Sequence, residues 1–208
     1  MPRRSEARTS ARKEEIIRAC AALYETMSFK EITLREISGY TSFSRPSIYN
    51  YFQTKEEIFL ALLAREYERW IEDLDALAAA GGSMGADELA AALAGTLERR
   101  ERLLKLMSMN HYDMEENSRA ERLAEFKAVY GASLRAVERV LAAYRPAMTE
   151  EDRRSFLYMF FPFIYGIYPY ASVSRKQREA MEAAGVGFVY HSIYEITFPF
   201  IKKLLEAY

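Results

Sequence analysis

Residues 33–57 have the sequence TLREISGYTSFSRPSIYNYFQTKEE, in which two short amphipathic segments flank a polar turn. Thr33 and Glu36 form a capping-box pattern, which predicts a helix over residues 33–40. Ser44 is a good N-cap and Pro46 is tolerated in a first helical turn, so a second helix is predicted over 45–51. Two short helices joined by about four residues form a helix-turn-helix, whose second helix enters the major groove of DNA.

The polar side chains of this stretch are the candidate DNA contacts. Thr33 lies at a helix N-terminus, where its hydroxyl and the free N–H groups can hold a phosphate. Arg45 and Asn50 are the candidate base readers, because Arg suits guanine and Asn suits adenine. Ser44 and Ser47 complete the polar surface, while Ile48 and Phe52 are apolar and expected in the core.

The rest of the chain also has helical periodicity. A first helix is predicted over about residues 10–28, and a long fourth helix runs from Thr54 to the glycine pair Gly81-Gly82. That helix is expected to be the only continuous element that touches both the N-terminal part and an effector cavity in the remainder. Further helices are predicted over 86–98, 101–112, 118–144, 150–172 and 185–206. The fold class is therefore all-α, with about nine helices.

Residues 10–60 resemble the N-terminal domain of the tetracycline-repressor (TetR) family, through Thr33-Leu-Arg-Glu-Ile37, Phe43-Ser44 and Ser47-Ile-Tyr49-Asn-Tyr51-Phe52-Gln-Thr-Lys55. The resemblance implies a homodimeric DNA-binding regulator, commonly a repressor released by a small ligand. It implies a DNA-binding domain over 1–55 and a helical effector-binding and dimerisation domain over 56–208. It also implies that Tyr49, Tyr51 and Lys55 hold the DNA backbone.

Two positions depart from the family pattern. Thr41-Ser42 replace the usual Ala-Gly, so Ser42 is expected in a conformation that glycine adopts more easily. Pro46 replaces a small residue and removes an N–H group from the recognition helix. Both departures bear on base preference rather than on the mode of binding.

Charge is distributed unevenly along the chain of 208 residues, whose formal net charge is -1. Residues 1–55 contain ten basic and six acidic residues, whereas residues 56–208 contain 19 basic and 24 acidic residues. A basic N-terminal part is typical of binding to a polyanion. Arg3, Arg4, Arg8 and Arg12 are predicted to form a flexible arm that follows phosphates or enters the minor groove.

The predicted location is the cytoplasm. A single cysteine, Cys20, fits a reducing compartment, and the N-terminus lacks an apolar signal segment. Residues 155–174 carry no charged residue and match the length of a membrane span, but they include two prolines and several polar residues. They are interpreted as core or interface.

Residues 156–170 contain eight aromatic residues, more than one helix face needs. By the family resemblance, 150–172 and 185–206 form the dimer interface and the middle helices enclose an apolar or aromatic effector. The predicted interface residues are Phe161, Tyr168, Phe188, Ser192, Ile196 and Pro199. The predicted effector-binding residues are Trp70, Met107, Asn110, His111, Tyr112, Phe126, Tyr130, Phe160 and Tyr165.

Other functions were weighed against the regulator. His111 lies near Asp113, Glu115 and Glu116, but two histidines and one distant cysteine make a poor zinc set, so no metal site is predicted. No nucleotide-binding glycine motif or catalytic signature occurs, so neither a cofactor nor an enzyme activity is predicted. The alternatives are a helical small-molecule-binding protein, including a carrier or an enzyme, and an interaction adaptor that does not regulate DNA.

Overall fold

The structure is a computed structural model in which every regular element is an α-helix within the part of the chain described. It describes the backbone of residues 2–109 and 111–208, and the side chains of these ranges except those of residues 2–6, 111 and 113. The all-α prediction is confirmed. The helices are α1 (Pro2–Thr26), α2 (Leu34–Gly39), α3 (Arg45–Ile48), α4 (Lys55–Ala79), α5 (Ala86–Glu98), α6 (Glu101–Met107), α7 (His111–Glu116), α8 (Ala120–Tyr144), α9 (Glu150–Gly166), α10 (Tyr168–Ala171), α11 (Arg175–Ala183) and α12 (Ile193–Glu206).

Twelve helices replace the predicted nine because two predicted helices, 101–112 and 150–172, are each divided and a further helix, α11, was missed. The predicted helix 150–172 divides at Ile167, because Pro169 has no N–H group with which to continue the helical hydrogen bonds of α9. The predicted helix 185–206 begins only at Ile193, where the Ser192 side chain accepts a hydrogen bond from the Glu195 N–H. The missed helix α11 begins with a capping box formed by Ser174 and Gln177.

The chain forms two compact units, and the first combines two separate stretches of sequence. The first unit contains Met1–Arg65 and Asn110–Val129, and the second contains Glu66–Met109 and Tyr130–Tyr208. These compact units differ from the predicted domains, 1–55 and 56–208. The boundary between the units falls inside both α4 and α8, so two helices continue from one unit into the other.

The core of the first unit forms around α1, α2 and α4. Ile16, Ile37 and Ile48 are fully buried. Phe59 lies edge-on to Tyr24 and Phe29, with ring centroids 5.2 and 4.8 Å away. Burial raises the pKa of Cys20 to about 12, so this thiol stays protonated at neutral pH.

The second unit has its own core, in which α12 packs along α5 and also contacts α9. Phe163 on α9 stacks on Phe200 of α12, with ring centroids 3.6 Å apart. Tyr144 closes the loop after α4 by donating a hydrogen bond from its hydroxyl to the Leu77 carbonyl at 2.7 Å. Among the helices described, none is long and apolar enough to cross a membrane.

Candidate functional site

A groove in the first unit brings together residues from α2, α3 and the start of α4. Its volume is about 410 Å³, and it is lined by Thr33, Leu34, Arg35, Arg45 and Lys55. Three of the predicted DNA contacts, Thr33, Arg45 and Lys55, thus meet in one place. With Arg35 they place three cationic side chains beside a helix N-terminus, an arrangement suited to phosphate.

Thr33 has the predicted role of N-cap. Its Oγ1 accepts hydrogen bonds from the N–H groups of Arg35, at 3.2 Å, and Glu36, at 3.4 Å. The backbone of Thr33 is extended, as an N-cap requires. This geometry leaves the hydroxyl proton of Thr33 available as a donor toward the groove.

The ammonium group of Lys55 is held inside the first unit. Its Nζ donates to the carbonyl oxygens of Phe29, at 2.8 Å, and Ile32, at 3.2 Å, and lies 4.2 Å from the centroid of the Phe29 ring. A lysine has three N–H donors, so one remains for an anion in the groove. Lys55 therefore also fixes the segment that precedes Thr33.

The helix α3 presents its polar side chains to solvent. Arg45, Tyr49 and Asn50 are exposed, and Ser47 is half-buried. Arg45 donates from Nη2 to the Tyr49 hydroxyl at 3.2 Å, one helical turn away. Ser44 and Ser47 share a hydrogen bond at 3.3 Å. Arg45 and Asn50, the residues predicted to contact bases, are therefore both accessible to DNA.

The other predicted DNA contacts are Tyr51 and the arginines of the N-terminal arm. Tyr51 is half-buried, and its ring centroid lies 6.3 Å from that of Phe43. Arg3 and Arg4 fall within the bounds of α1, but their side chains lie outside the described residues. The guanidinium of Arg12, predicted in a flexible arm, lies over the Phe43 ring at 5.3 Å from a helical position.

The expectation of a glycine-like conformation at Ser42 is wrong. No non-glycine residue of the described chain has a positive φ. Instead, the N–H and hydroxyl of Ser42 both bind the Glu15 carboxylate. These hydrogen bonds, the backbone one being the larger cause, lower the pKa of Glu15 and connect the turn of the helix-turn-helix to α1.

Comparison with known families agrees with this geometry. The family model described as bacterial regulatory proteins of the tetR family matches residues 16–62, and that of the tetracyclin repressor-like C-terminal domain matches residues 64–190. The chain belongs to the TetR family. It is a DNA-binding transcriptional regulator with a helix-turn-helix domain and a tetracyclin repressor-like C-terminal domain. The resemblance drawn from residues 10–60 is confirmed.

Solved structures share the regulator's fold. A transcriptional regulator of the TetR/AcrR family from Thermobifida fusca is similar with a TM-score of 0.63 and 20% identity, over 95% of this chain and 98% of that one. The fatty acid degradation regulator FadR from Bacillus halodurans is similar with a TM-score of 0.60 and 14% identity, over 93% and 94% of the two chains. No curated protein matches the sequence.

An aromatic cluster in the second unit of the regulator contains four of the predicted effector residues. These are Trp70, Tyr130, Phe160 and Tyr165, and the sequence-based prediction missed Tyr67 and Phe161. The Trp70 ring lies 6.3 Å from Phe160 and 6.0 Å from Phe161. We call these six residues the aromatic cluster.

Two tyrosine hydroxyls supply polar groups within the aromatic cluster. Those of Tyr67 and Tyr165 share a hydrogen bond at 2.9 Å, and the Tyr130 ring lies edge-on to Tyr67 at 6.0 Å. Burial, followed by the influence of Tyr165, raises the pKa of Tyr67 well above its usual value, so its hydroxyl stays neutral. The aromatic cluster is thus an apolar region that contains two fixed hydroxyl groups.

The other predicted effector residues have varied environments. Tyr112 is 84% exposed, and Phe126 is buried in the first unit. Met107 is buried in the second unit. Asn110 and the side chain of His111 lie outside the described residues. No group of three metal-binding side chains occurs among the residues described.

The predicted interface residues have different environments in the structure. Phe161 is buried inside the second unit, against Trp70 and Tyr130. Phe188 lies in the non-helical segment before α12 and packs on Tyr190, with ring centroids 5.1 Å apart. The Ser192 hydroxyl caps α12. Tyr168, Ile196 and Pro199 are partly or fully exposed and remain candidates.

A second groove of about 410 Å³ lies in the second unit, lined by Arg135, Glu138, Arg139, Ala142, Glu150, Arg153 and Arg154. Two of its arginines already have partners, since Arg139 pairs with Asp75 and Arg153 donates to the Met148 carbonyl. Glu138 and Glu150 offset the charges of the other two arginines, Arg135 and Arg154, so we assign no ligand to this groove.

Proposed function

We propose that the regulator is a homodimer that recognises a near-palindromic operator through α3 and represses transcription until an effector binds in its second unit. The observation that carries the DNA-binding part is the groove that joins Thr33, Arg35, Arg45 and Lys55 beside the exposed surface of α3. In this proposal Arg45 and Asn50 contact bases, while Thr33, Tyr49 and Lys55 contact the phosphate backbone.

Arg45→Ala is expected to cost about 1–3 kcal/mol on the operator and to relax specificity at particular base pairs. The matched control is Arg35→Ala, which removes a charge from the same groove. It should weaken binding to all sequences and make the slope of log affinity against log salt shallower by about one unit. Fluorescence anisotropy on operator and unrelated duplexes checks both results. Equal losses from the two variants on every duplex would contradict this division of roles.

The proposed effector is a small, partly apolar or aromatic molecule that binds at the aromatic cluster. Trp70, Phe160 and Phe161 provide apolar contacts, and the hydroxyls of Tyr67 and Tyr165 provide hydrogen bonds. An effector can release DNA only if it binds more tightly to one arrangement of the two DNA-binding domains of the dimer than to another. The continuous helices α4 and α8 both extend from the second unit into the first.

Effector binding is expected to change the fluorescence of Trp70, the single tryptophan, and to weaken operator affinity through a coupling of about 1–3 kcal/mol. Operator DNA must then weaken effector binding by the same factor. Candidate aromatic and lipophilic compounds should be titrated with and without operator. A compound that binds with identical affinity in both titrations would show that its site has no regulatory role.

The proposed dimer interface is the exposed face of α9 together with part of α12. Tyr158 is 76% and Met159 is 44% exposed, an unusual loss of apolar burial for a monomer. Pro162 continues this face along α9, and Pro199 is exposed on α12. Since two recognition helices must reach successive major grooves about 34–36 Å apart, dimerisation predicts a near-palindromic operator.

A further inference from the structure

Glu57 is a buried carboxylate, only 1% exposed, in the first turn of α4. The Arg119 guanidinium donates to it twice, from Nε to Oε1 at 2.6 Å and from Nη2 to Oε2 at 2.9 Å. The backbone N–H groups of Arg119 and Gln53 donate to it as well, at 3.2 and 2.8 Å. Four N–H groups therefore bind one carboxylate that is withdrawn from water.

These hydrogen bonds determine the charge state of Glu57. Burial by itself would raise its pKa, but the hydrogen bonds from Arg119, Gln53 and the Arg119 backbone outweigh burial and lower the pKa. Glu57 in turn raises the pKa of Arg119. Both groups are therefore charged at neutral pH, and the ion pair is formed under that condition.

The same short segment that supplies Arg119, residues 117–122, also binds the chain directly after α3. Arg119 and Arg122 each place Nη2 3.4 Å from the Tyr51 carbonyl oxygen. The Thr54 hydroxyl donates to the Asn117 carbonyl at 3.0 Å. The Arg122 guanidinium lies 5.8 Å from the Phe52 ring centroid. Residues 51–57 are thus fixed by a segment more than 60 positions away in sequence.

This attachment matters because α3 contains only four residues, Arg45–Ile48. A helix of this length has no stability of its own, so its direction depends on what holds its ends. The N-terminal side is held by the turn that Ser42 connects to Glu15. The C-terminal side, directly after Asn50, is held by the 117–122 segment.

We infer that Arg119 is a positioning residue for operator recognition, acting through Glu57 and the Tyr51 carbonyl to set the orientation of α3. The inference rests on the proposed base contacts of Arg45 and Asn50. Base contacts need a precise position of α3, whereas phosphate contacts tolerate small displacements. Loss of Arg119 should therefore lower specific affinity more than non-specific affinity.

The sequence path of residues 117–122 gives this contact a second consequence. They belong to the stretch Asn110–Val129, which is continuous with the second unit at both of its ends. Residues 51–57 are therefore connected to the second unit through α8 as well as through α4.

The test is the ratio of two dissociation constants, for an operator selected from a random DNA pool and for an unrelated duplex of equal length. In Arg119→Lys, which keeps the charge but loses the bidentate geometry, operator affinity should fall about tenfold, as expected for lost hydrogen bonds between charged groups. Affinity for the unrelated duplex should change less than about twofold. Circular dichroism verifies that the variant is folded.

Two further variants make the result decisive. Glu14→Gln is the matched control, because it removes another ion pair of the first unit, Arg65–Glu14 at 2.9 Å, away from residues 51–57. It should leave the ratio unchanged. If Arg119→Lys does not fold, Arg122→Gln decides, since it removes one hydrogen bond to the Tyr51 carbonyl and should lower the same ratio.

The outcomes separate this inference from the proposed function. A wild-type chain that prefers no DNA sequence would overturn both. If folded Arg119→Lys has the same ratio of dissociation constants as the wild type, the positioning role alone is overturned. The same holds for Arg122→Gln if Arg119→Lys does not fold. An equal loss of affinity for both duplexes would also overturn it, because it would reveal general destabilisation.

Discussion

Replacing Met159 with glutamate is expected to convert the regulator into monomers. Operator affinity should then fall by about a hundredfold or more, because the two DNA-binding domains bind independently. Met159 is 44% exposed and lies beside Tyr158 on the apolar face of α9. Burial of an unpaired carboxylate at a dimer interface is strongly unfavourable. Sedimentation equilibrium measures the mass, and anisotropy measures the operator affinity.

Val189→Glu is the matched control for this variant. Val189 is 69% exposed in the same unit but lies in the segment before α12, outside the proposed interface. The same change of side chain should leave the mass and the operator affinity unaltered. A wild-type chain that is monomeric at micromolar concentration, or a dimeric Met159→Glu variant, would show that this face does not form the dimer.

Trp70→Ala is expected to lower the free energy of unfolding by about 3–5 kcal/mol, because it removes a large, completely buried side chain of the aromatic cluster. Trp70 is completely buried and contacts Tyr67, Phe160 and Phe161. Its Nε1–H donates to the Thr96 Oγ1 at 3.0 Å. Urea unfolding followed by circular dichroism measures the loss.

Trp70→Phe separates packing from hydrogen bonding in this core. Phenylalanine keeps most of the ring but cannot donate to Thr96, whose own hydroxyl still donates to the Leu93 carbonyl. The expected loss is about 1–3 kcal/mol, smaller than for alanine. Equal stability of the wild type and Trp70→Ala would contradict the assignment of Trp70 to the core.

Elements with local signals could be predicted from the sequence. The helix α2 begins after Thr33, and α9 begins after Thr149 with a capping box to Asp152, as their N-cap residues indicated. The extent of α3 and the start of α12 were predicted less well. Helical periodicity continued through residues 185–192, but the left-handed Gly185, at φ 66°, and the Ser192 cap set the actual limits of the helices.

The candidate site shows the same division between local and long-range information. The polar residues of α3 and the Thr33 cap were evident because each depends on neighbours within four positions. The role of Glu15 at Ser42 and the Glu57–Arg119 pair were missed, since their partners are 27 and 62 positions apart. Arg35 was missed because only the folded groove places it beside Arg45 and Lys55.

The central claim, sequence-specific DNA recognition through α3, is tested most directly by selecting DNA from a random pool with the wild-type chain. The affinity of the selected duplex is then compared with that of its scrambled counterpart at physiological salt. The account predicts a near-palindromic sequence bound at least about a thousandfold more tightly than the scrambled duplex. Equal affinity for the two duplexes would contradict the account.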